Sequence, residues 1–187
     1  MKLLILGGSG MVGHSLVRKL SRNHEVFCAL RKNQKFESVN FFDNVIKESN
    51  CIFIEDINEH TNLKNIIENL SPDILINCIG VIKQRNNADN LSNMIKINAL
   101  LPQILNEICK QNKVKLIHLS TDCVFSGDKG NYKEIDNPDP IDKYGESKLL
   151  GEINDGGDAL TIRTSFIGPE LFNKKSLFEW IKSQKNR

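Results

Sequence analysis

The sequence predicts an α/β fold, a doubly wound parallel sheet with helices on both faces. Three observations carry this. Short apolar runs of strand length alternate with segments of helical period along the chain. Most of those runs are nearly continuous in Val, Ile, Leu and Cys, as strands buried on both faces require. Glycines stand directly after the first run and open an amphipathic segment.

The elements follow in order. Lys2–Leu6 is the first strand, ended by Gly7 and Gly8. Met11–Leu20 is a helix with Val12, Leu16 and Leu20 on one face. Glu25–Leu30, Cys51–Ile54 and Asp73–Cys78 are the next strands. Leu91–Cys109 is a long helix carrying Met94, Ile97, Leu101, Ile104, Leu105 and Ile108 at helical spacing. Val114–Leu119 and Ala159–Arg163 complete the strands, with right-handed crossovers expected. The polar loop Ser126–Asp142 is rich in Gly, Asp, Asn and Pro, and a loop of that length in a compact domain is often functional.

At 187 residues and 40% hydrophobic, the chain suits one domain, or one domain and part of a second. A net charge of +2 gives no field that implies nucleic acid as a partner. The basic residues Lys174, Lys175, Lys182, Lys185 and Arg187 read as a solvated helix face. The first apolar run is too short for a signal peptide and none approaches membrane-spanning length, so a cytoplasmic protein without membrane contact is expected. The five cysteines form no C-x-x-C pair and no metal spacing with the four histidines, so no metal site is expected. Cys28, Cys51, Cys78 and Cys123 lie in or beside apolar runs, where a free thiol acts as a small core residue.

The stretch LLILGGSGMVGHSL fits two glycine templates, Gly8-x-Gly10-x-x-Gly13 and Gly7-x-x-Gly10-x-x-Gly13. Either lets backbone N–H groups and a helix N-terminus approach a pyrophosphate. Its place between a strand and an amphipathic helix favours a dinucleotide site over a purely structural turn. At the end of the second strand an acidic residue would bond the ribose 2′-hydroxyl of NAD. The chain reads CALRK there, and Arg31 and Lys32 favour a 2′-phosphate, so NADP(H) is preferred with NAD(H) as the alternative. The competing reading is two solvated charges.

Tyr144 and Lys148 are four residues apart, on one face if helical. A nearby ammonium stabilises phenolate and lowers a phenol pKa from about 10. Such a pair suits proton donation to a carbonyl oxygen during hydride addition. Thr121, at the carboxyl end of the fifth strand, is placed to hydrogen-bond the same oxygen. Alone, Tyr-x-x-x-Lys usually marks two amphipathic surface residues; the glycine turn and the strand-end hydroxyls make chance a poor explanation.

With these residues the sequence resembles an extended short-chain dehydrogenase/reductase, and within that group the dTDP-4-dehydrorhamnose reductases. The resemblance rests on GGSGMVG, NCIG, STDCVFSG, the Y-x-E-x-D-x-P-x-P pattern from Tyr132 to Pro140, YGESKLLGE and RTSFIGP. It implies a Rossmann-type domain over residues 1–169, with 170–187 beginning a C-terminal substrate lobe whose larger part lies beyond Arg187 in typical members. By position it makes Thr121 the substrate-orienting hydroxyl, Tyr144 the proton donor, and Lys148 its partner and a ribose ligand. Gly7, Gly10, Met11, Val12 and Gly13 would face the pyrophosphate, Asp56 and Ile57 the adenine, and Cys78, Ile79 and Gly80 the cofactor channel. Asn98 would support the active site, and Asp122, Cys123 and Phe166 would lie towards the sugar. Cys123 stands where an aromatic residue is common in the family.

The resemblance thus implies NADP(H)-dependent reduction of a nucleoside-diphosphate 4-keto-6-deoxy sugar in polysaccharide or deoxysugar synthesis. Two alternatives remain: an NAD-dependent sugar-nucleotide epimerase, and a nucleotide-binding regulatory subunit without turnover. The stretch SLFEWIKSQ places Leu177, Phe178, Trp180 and Ile181 at helical spacing, an apolar face that packing back or homodimerisation would cover.

Overall fold

The computed structural model describes residues 1–32, 45–82, 88–155, 157–172 and 176–184. Residues 174, 175, 185 and 187 of the basic C-terminal stretch lie outside them. The strands are β1 (Lys2–Leu6), β2 (Glu25–Arg31), β3 (Cys51–Ile54), β4 (Ile74–Asn77), β5 (Lys115–Leu119) and β6 (Ala159–Ile162). The helices are α1 (Met11–Leu20), α2 (His60–Leu70), α3 (Ala88–Met94), α4 (Leu101–Asn112), α5 (Lys143–Leu150) and α6 (Leu177–Ser183). The sheet has six strands in the order β3-β2-β1-β4-β5-β6, and β1–β2, β1–β4, β2–β3 and β5–β6 each pair in parallel. That is the doubly wound order, which reverses between β1 and β4. Two compact bodies divide the chain, residues Met1–Cys78 with Phe166–Arg187, and Ile79–Ser165.

In the first body Ile5 lies in register with Cys28 on one side and Ile76 on the other, and Cys28 with Cys51 beyond. Leu4, Ile5 and Leu6 are fully buried, which explains their unbroken apolar run. On α1 the buried residues are Gly13, His14 and Val17, while Val12, Leu16 and Leu20 are only half-buried. The predicted stripe is therefore the rim of the buried face, because the close approach at Gly13 turns that line inward. Helix α6 starts at Ser176, whose hydroxyl accepts from the Glu179 amide at 3.3 Å and donates to the Gly168 carbonyl at 3.1 Å. Its Leu177, Phe178, Trp180 and Ile181 are all exposed.

In the second body β5 carries Leu116 and His118 into the core, and β6 pairs with it from Leu116↔Ala159 to Leu119↔Ile162. Leu160 and Ile162 on β6 are exposed, so this strand is not buried on both faces. The long helix expected over Leu91–Cys109 is one continuous run from Ala88 to Asn112, with a π-helical stretch at Ile95–Leu100. Met94, Ile97, Leu101, Leu105 and Ile108 are buried as their spacing predicts, and Ile104 is half-buried. The wide turn brings Asn98 inward, fully buried, among these apolar residues.

Candidate active site

The glycine turn closes on its own backbone. The Gly10 amide donates to the Gly7 carbonyl at 3.0 Å, and a Cβ on Gly13 would come within 2.2 Å of that same oxygen. The spacing Gly7-x-x-Gly10-x-x-Gly13 therefore forms the turn. Gly8 instead lies against Cys28, whose Sγ would be 1.8 Å from a Cβ there. Helix α1 begins at Gly10 with no side-chain cap and no acidic residue in its first turn. Its leading amides and positive dipole end are thus left for an anion. Met11 and Val12 are half-buried in that turn. A cradle that bare backbone lines and a side chain would fill fits the pyrophosphate of a dinucleotide.

Arg31 ends β2 and is exposed, as is Lys32. Lys32 Nζ pairs with Glu55 at 2.8 Å. Nothing in the residue spacing foretells that ion pair, which offsets one of the two charges expected to favour a 2′-phosphate. Asp56 Oδ1 accepts the amide and the side-chain Nδ2 of Asn58, both at 2.8 Å, fixing the turn that carries the half-buried Ile57. The Cys78 amide donates to the Leu6 carbonyl at 3.1 Å, continuing the β1–β4 ladder one step. Ile79 is half-buried and Gly80 exposed. Phe166, assigned to the sugar, is 44% exposed and belongs to the first body.

In the second body Thr121 follows β5 and caps a 3-10 turn over Asp122–Val124, its hydroxyl accepting from the Cys123 amide at 3.2 Å. Thr121 is buried and its hydroxyl donates to Asp122 Oδ1 at 3.2 Å, with the Tyr144 phenol near enough for the Thr121 hydroxyl to bear on its titration. Tyr144 lies in the first turn of α5, which Asp142 caps by accepting the Gly145 amide at 2.8 Å. The phenol is pushed up from its ordinary value by burial, and the Thr121 hydroxyl offsets this in part. Lys148, buried on the next turn, donates Nζ to the Leu119 carbonyl at 2.6 Å. Beside it His118 is pushed down to about 3 by burial and then by the Lys148 charge, so its ring is neutral near pH 7.

Asp122 Oδ2 accepts the Ser165 hydroxyl at 2.5 Å, and that bond, ahead of the one from Thr121, holds its carboxyl below the usual range. Asp122 and exposed Cys123 line a cavity of about 440 Å³ with Phe125, Tyr132, Lys133 and Arg163. Phe125 and Tyr132 stack at 4.3 Å between centroids. Asn98 accepts the Val81 amide at 2.8 Å and donates to the Val81 carbonyl at 2.9 Å and to Ser147 Oγ at 3.0 Å. It thereby ties the segment after Gly80 to α5. Sequence reasoning missed Ser147, Ser165, Glu152 and Arg163, and counted Ser120 only among the strand-end hydroxyls. Glu152 stood in plain view four residues after Lys148 in YGESKLLGE.

Strand order, glycine turn and the Thr121, Tyr144 and Lys148 set define an extended short-chain dehydrogenase/reductase. Comparison with known proteins narrows the class. Residues 1–176 match the family described as the RmlD substrate binding domain, and the chain belongs to it. It is 30% identical over 172 residues to the "Probable low-salt glycan biosynthesis reductase Agl14" of Haloferax volcanii, covering 89% of this chain and 54% of that protein. It is 29% identical to a dTDP-4-dehydrorhamnose reductase of Burkholderia thailandensis, covering 89% of this chain and 50% of the other. Methionine adenosyltransferase 2 subunit beta of Bos taurus is 31% identical over 81% of this chain and 41% of its own length. Among solved structures, a hypothetical dTDP-4-dehydrorhamnose reductase from Sulfolobus tokodaii superposes with a TM-score of 0.71 at 34% identity, over 87% of this chain and 55% of that one. The chain spans about half the length of these relatives.

Proposed function

We propose that this chain carries the cofactor-binding part of an NADP(H)-dependent, cytoplasmic reductase of a nucleoside-diphosphate 4-keto-6-deoxy sugar, with residues 1–169 as that part and 170–187 opening a substrate lobe. The observation that carries the reading is buried Thr121 set beside the Tyr144 phenol at the carboxyl end of β5, with Lys148 on the next turn of α5 donating to the Leu119 carbonyl. Two neighbouring hydroxyls can both donate to a keto oxygen placed between them. Membership in a family with relatives named dTDP-4-dehydrorhamnose reductase supports the substrate class.

In this reading the Gly7–Gly13 turn and the uncapped start of α1 hold the pyrophosphate, with Arg31 and Lys32 towards a 2′-phosphate. The bound nicotinamide supplies hydride. Thr121 and Tyr144 hold the keto oxygen, and the phenol gives its proton to that oxygen as negative charge develops there. A phenol raised by burial stays protonated at neutral pH, which suits a proton donor in the reducing direction. Lys148 holds the nicotinamide ribose and stabilises the phenolate once it forms. Asp122 and Cys123 face the sugar.

Loss of NADPH absorbance on adding a dTDP-linked 4-keto-6-deoxy sugar tests the reading. Saturable consumption is expected, and none from any full-length form would overturn it. A second reading, a nucleotide-binding regulatory subunit, is favoured by the likeness to a protein named as a subunit of methionine adenosyltransferase. It predicts NADP(H) binding with no consumption.

A further inference from the structure

Glu152 is a carboxylate in a place where carboxylates are costly. Its side chain is 1% exposed, and burial of an ionised carboxylate requires charge pairing and several donors. It has them: Ser120 Oγ donates at 2.7 Å, Arg163 Nε at 2.9 Å and a terminal Arg163 nitrogen at 2.7 Å. The guanidinium is held as a fork, which fixes orientation as well as distance.

These three side chains come from three segment ends. Ser120 is the residue before Thr121. Glu152 follows α5, the helix that carries Tyr144 and Lys148. Arg163 follows β6, two residues before the Ser165 whose hydroxyl holds Asp122. Arg163 also lies over the Phe125 ring at 5.1 Å, on the wall of the cavity that Asp122 and Cys123 line.

A buried ion pair adds little net stability, because desolvation offsets most of its attraction; its best-attested use is to fix one arrangement among several. Here the arrangement fixed is that of the β5 end against α5. We infer that Glu152, through Ser120 and Arg163, is the positioning residue that sets the Thr121 hydroxyl against the Tyr144 phenol. It touches no substrate itself. The inference rests on the reading of Thr121 and Tyr144 as the pair at the keto oxygen.

The Tyr144 phenol responds to burial, to the Thr121 hydroxyl and to Cys123, Asp122 and Asp142, with Lys148 on its own helix. Replacing Ser120 changes none of those charges, so any effect on the phenol arrives through the position of Thr121. The test uses the full chain with carbon-13 at tyrosine Cζ. The chain has two tyrosines, so Tyr144→Phe assigns the signals. Ser120→Ala is expected to move the Tyr144 resonance at neutral pH and to shift its titration midpoint upward, because the Thr121 hydroxyl that lowers it bears on it less. Ser120→Thr, which keeps the hydroxyl, is expected to restore both. Glu152→Gln is expected to act in the same direction and more strongly. If that variant does not fold, the two Ser120 variants decide alone. A Ser120→Ala protein that melts earlier but keeps the parent resonance and midpoint would overturn the inference, leaving the network only structural. No substrate enters the measurement, so absence of reductase turnover would not mimic that result.

Discussion

The Lys148 ammonium donates to the Leu119 carbonyl at 2.6 Å, so the lysine on the tyrosine's own helix face is engaged with the strand that ends at Thr121. This ties α5 to the β5 end, while burial, first, pushes the Tyr144 phenol up. In a full-length active form, Tyr144→Phe is expected to leave NADPH affinity nearly unchanged and to lower turnover about a hundredfold or more, the usual scale for a general acid. Lys148→Ala is expected to weaken both, and thermal stability besides. Steady-state rates and fluorescence titration check this; a Tyr144→Phe enzyme with most of its rate would remove Tyr144 as proton donor.

In the proposed reading cofactor choice rests mainly on Arg31, since Lys32 pairs with Glu55. NADPH is expected to bind more tightly than NADH, and Arg31→Asp to narrow or reverse the ratio. A charge-assisted phosphate contact contributes about 1.5–3 kcal/mol, roughly tenfold to a hundredfold in affinity. Glu55→Gln, which releases Lys32, is expected to widen the ratio. Equal dissociation constants for the two cofactors would contradict the assignment.

A third expectation concerns acid stability. Lys110, then Asn106, hold the Asp155 carboxyl down to about 2. A folded-state value below the unfolded one of about 3.9 stabilises above the latter, and the contribution disappears as pH falls through the former. Asp155→Asn lacks it at every pH. The gap in unfolding temperature between parent and variant should therefore be widest near neutrality and shrink between about pH 4 and pH 2. A gap that stays constant across that window would place the ion pair in the unfolded state as well. Both side chains are partly exposed, so the gap should also fall with added salt.

The strands were legible in the sequence because each is a short apolar run between helical segments, and Lys2–Leu6 and Cys51–Ile54 match their predicted limits. Thr121, Tyr144 and Lys148 could be named as candidates because the residue types and spacing are themselves the signal. What failed to show were features set by long-range contact. The π-helical stretch at Ile95–Leu100 leaves an apolar pattern close to that of a regular helix, and only the buried Asn98 betrays it. Glu152 and Arg163 were not singled out because nothing local says that two charged residues eleven apart face each other indoors. Likewise Lys32 read as free for phosphate because Glu55 is brought beside it by the register of β2 and β3.

A close contact beneath Tyr144 supplies a last prediction. A Cβ on Gly145 would lie 2.2 Å from the Cys123 carbonyl oxygen and 2.9 Å from Pro140 Cβ. Within an α-helix, Gly→Ala should stabilise by about 1 kcal/mol on propensity alone. Against this stands overpacking, which costs about 1–3 kcal/mol and more where backbone must move. The obstructing oxygen belongs to the turn capped by Thr121, and it cannot swing aside as a flexible side chain would. Overpacking therefore wins. Gly145→Ala is expected to lower the unfolding temperature by a few degrees, at roughly 2–4 °C per kcal/mol for a domain of this size. Because α5 and the Asp122–Val124 turn must separate, Thr121 and Tyr144 move apart, and turnover of a full-length form should fall more than NADPH affinity does. A Gly145→Ala protein as stable as the parent, with its rate intact, would show that the turn yields and that the close packing of α5 on it is not what holds the pair.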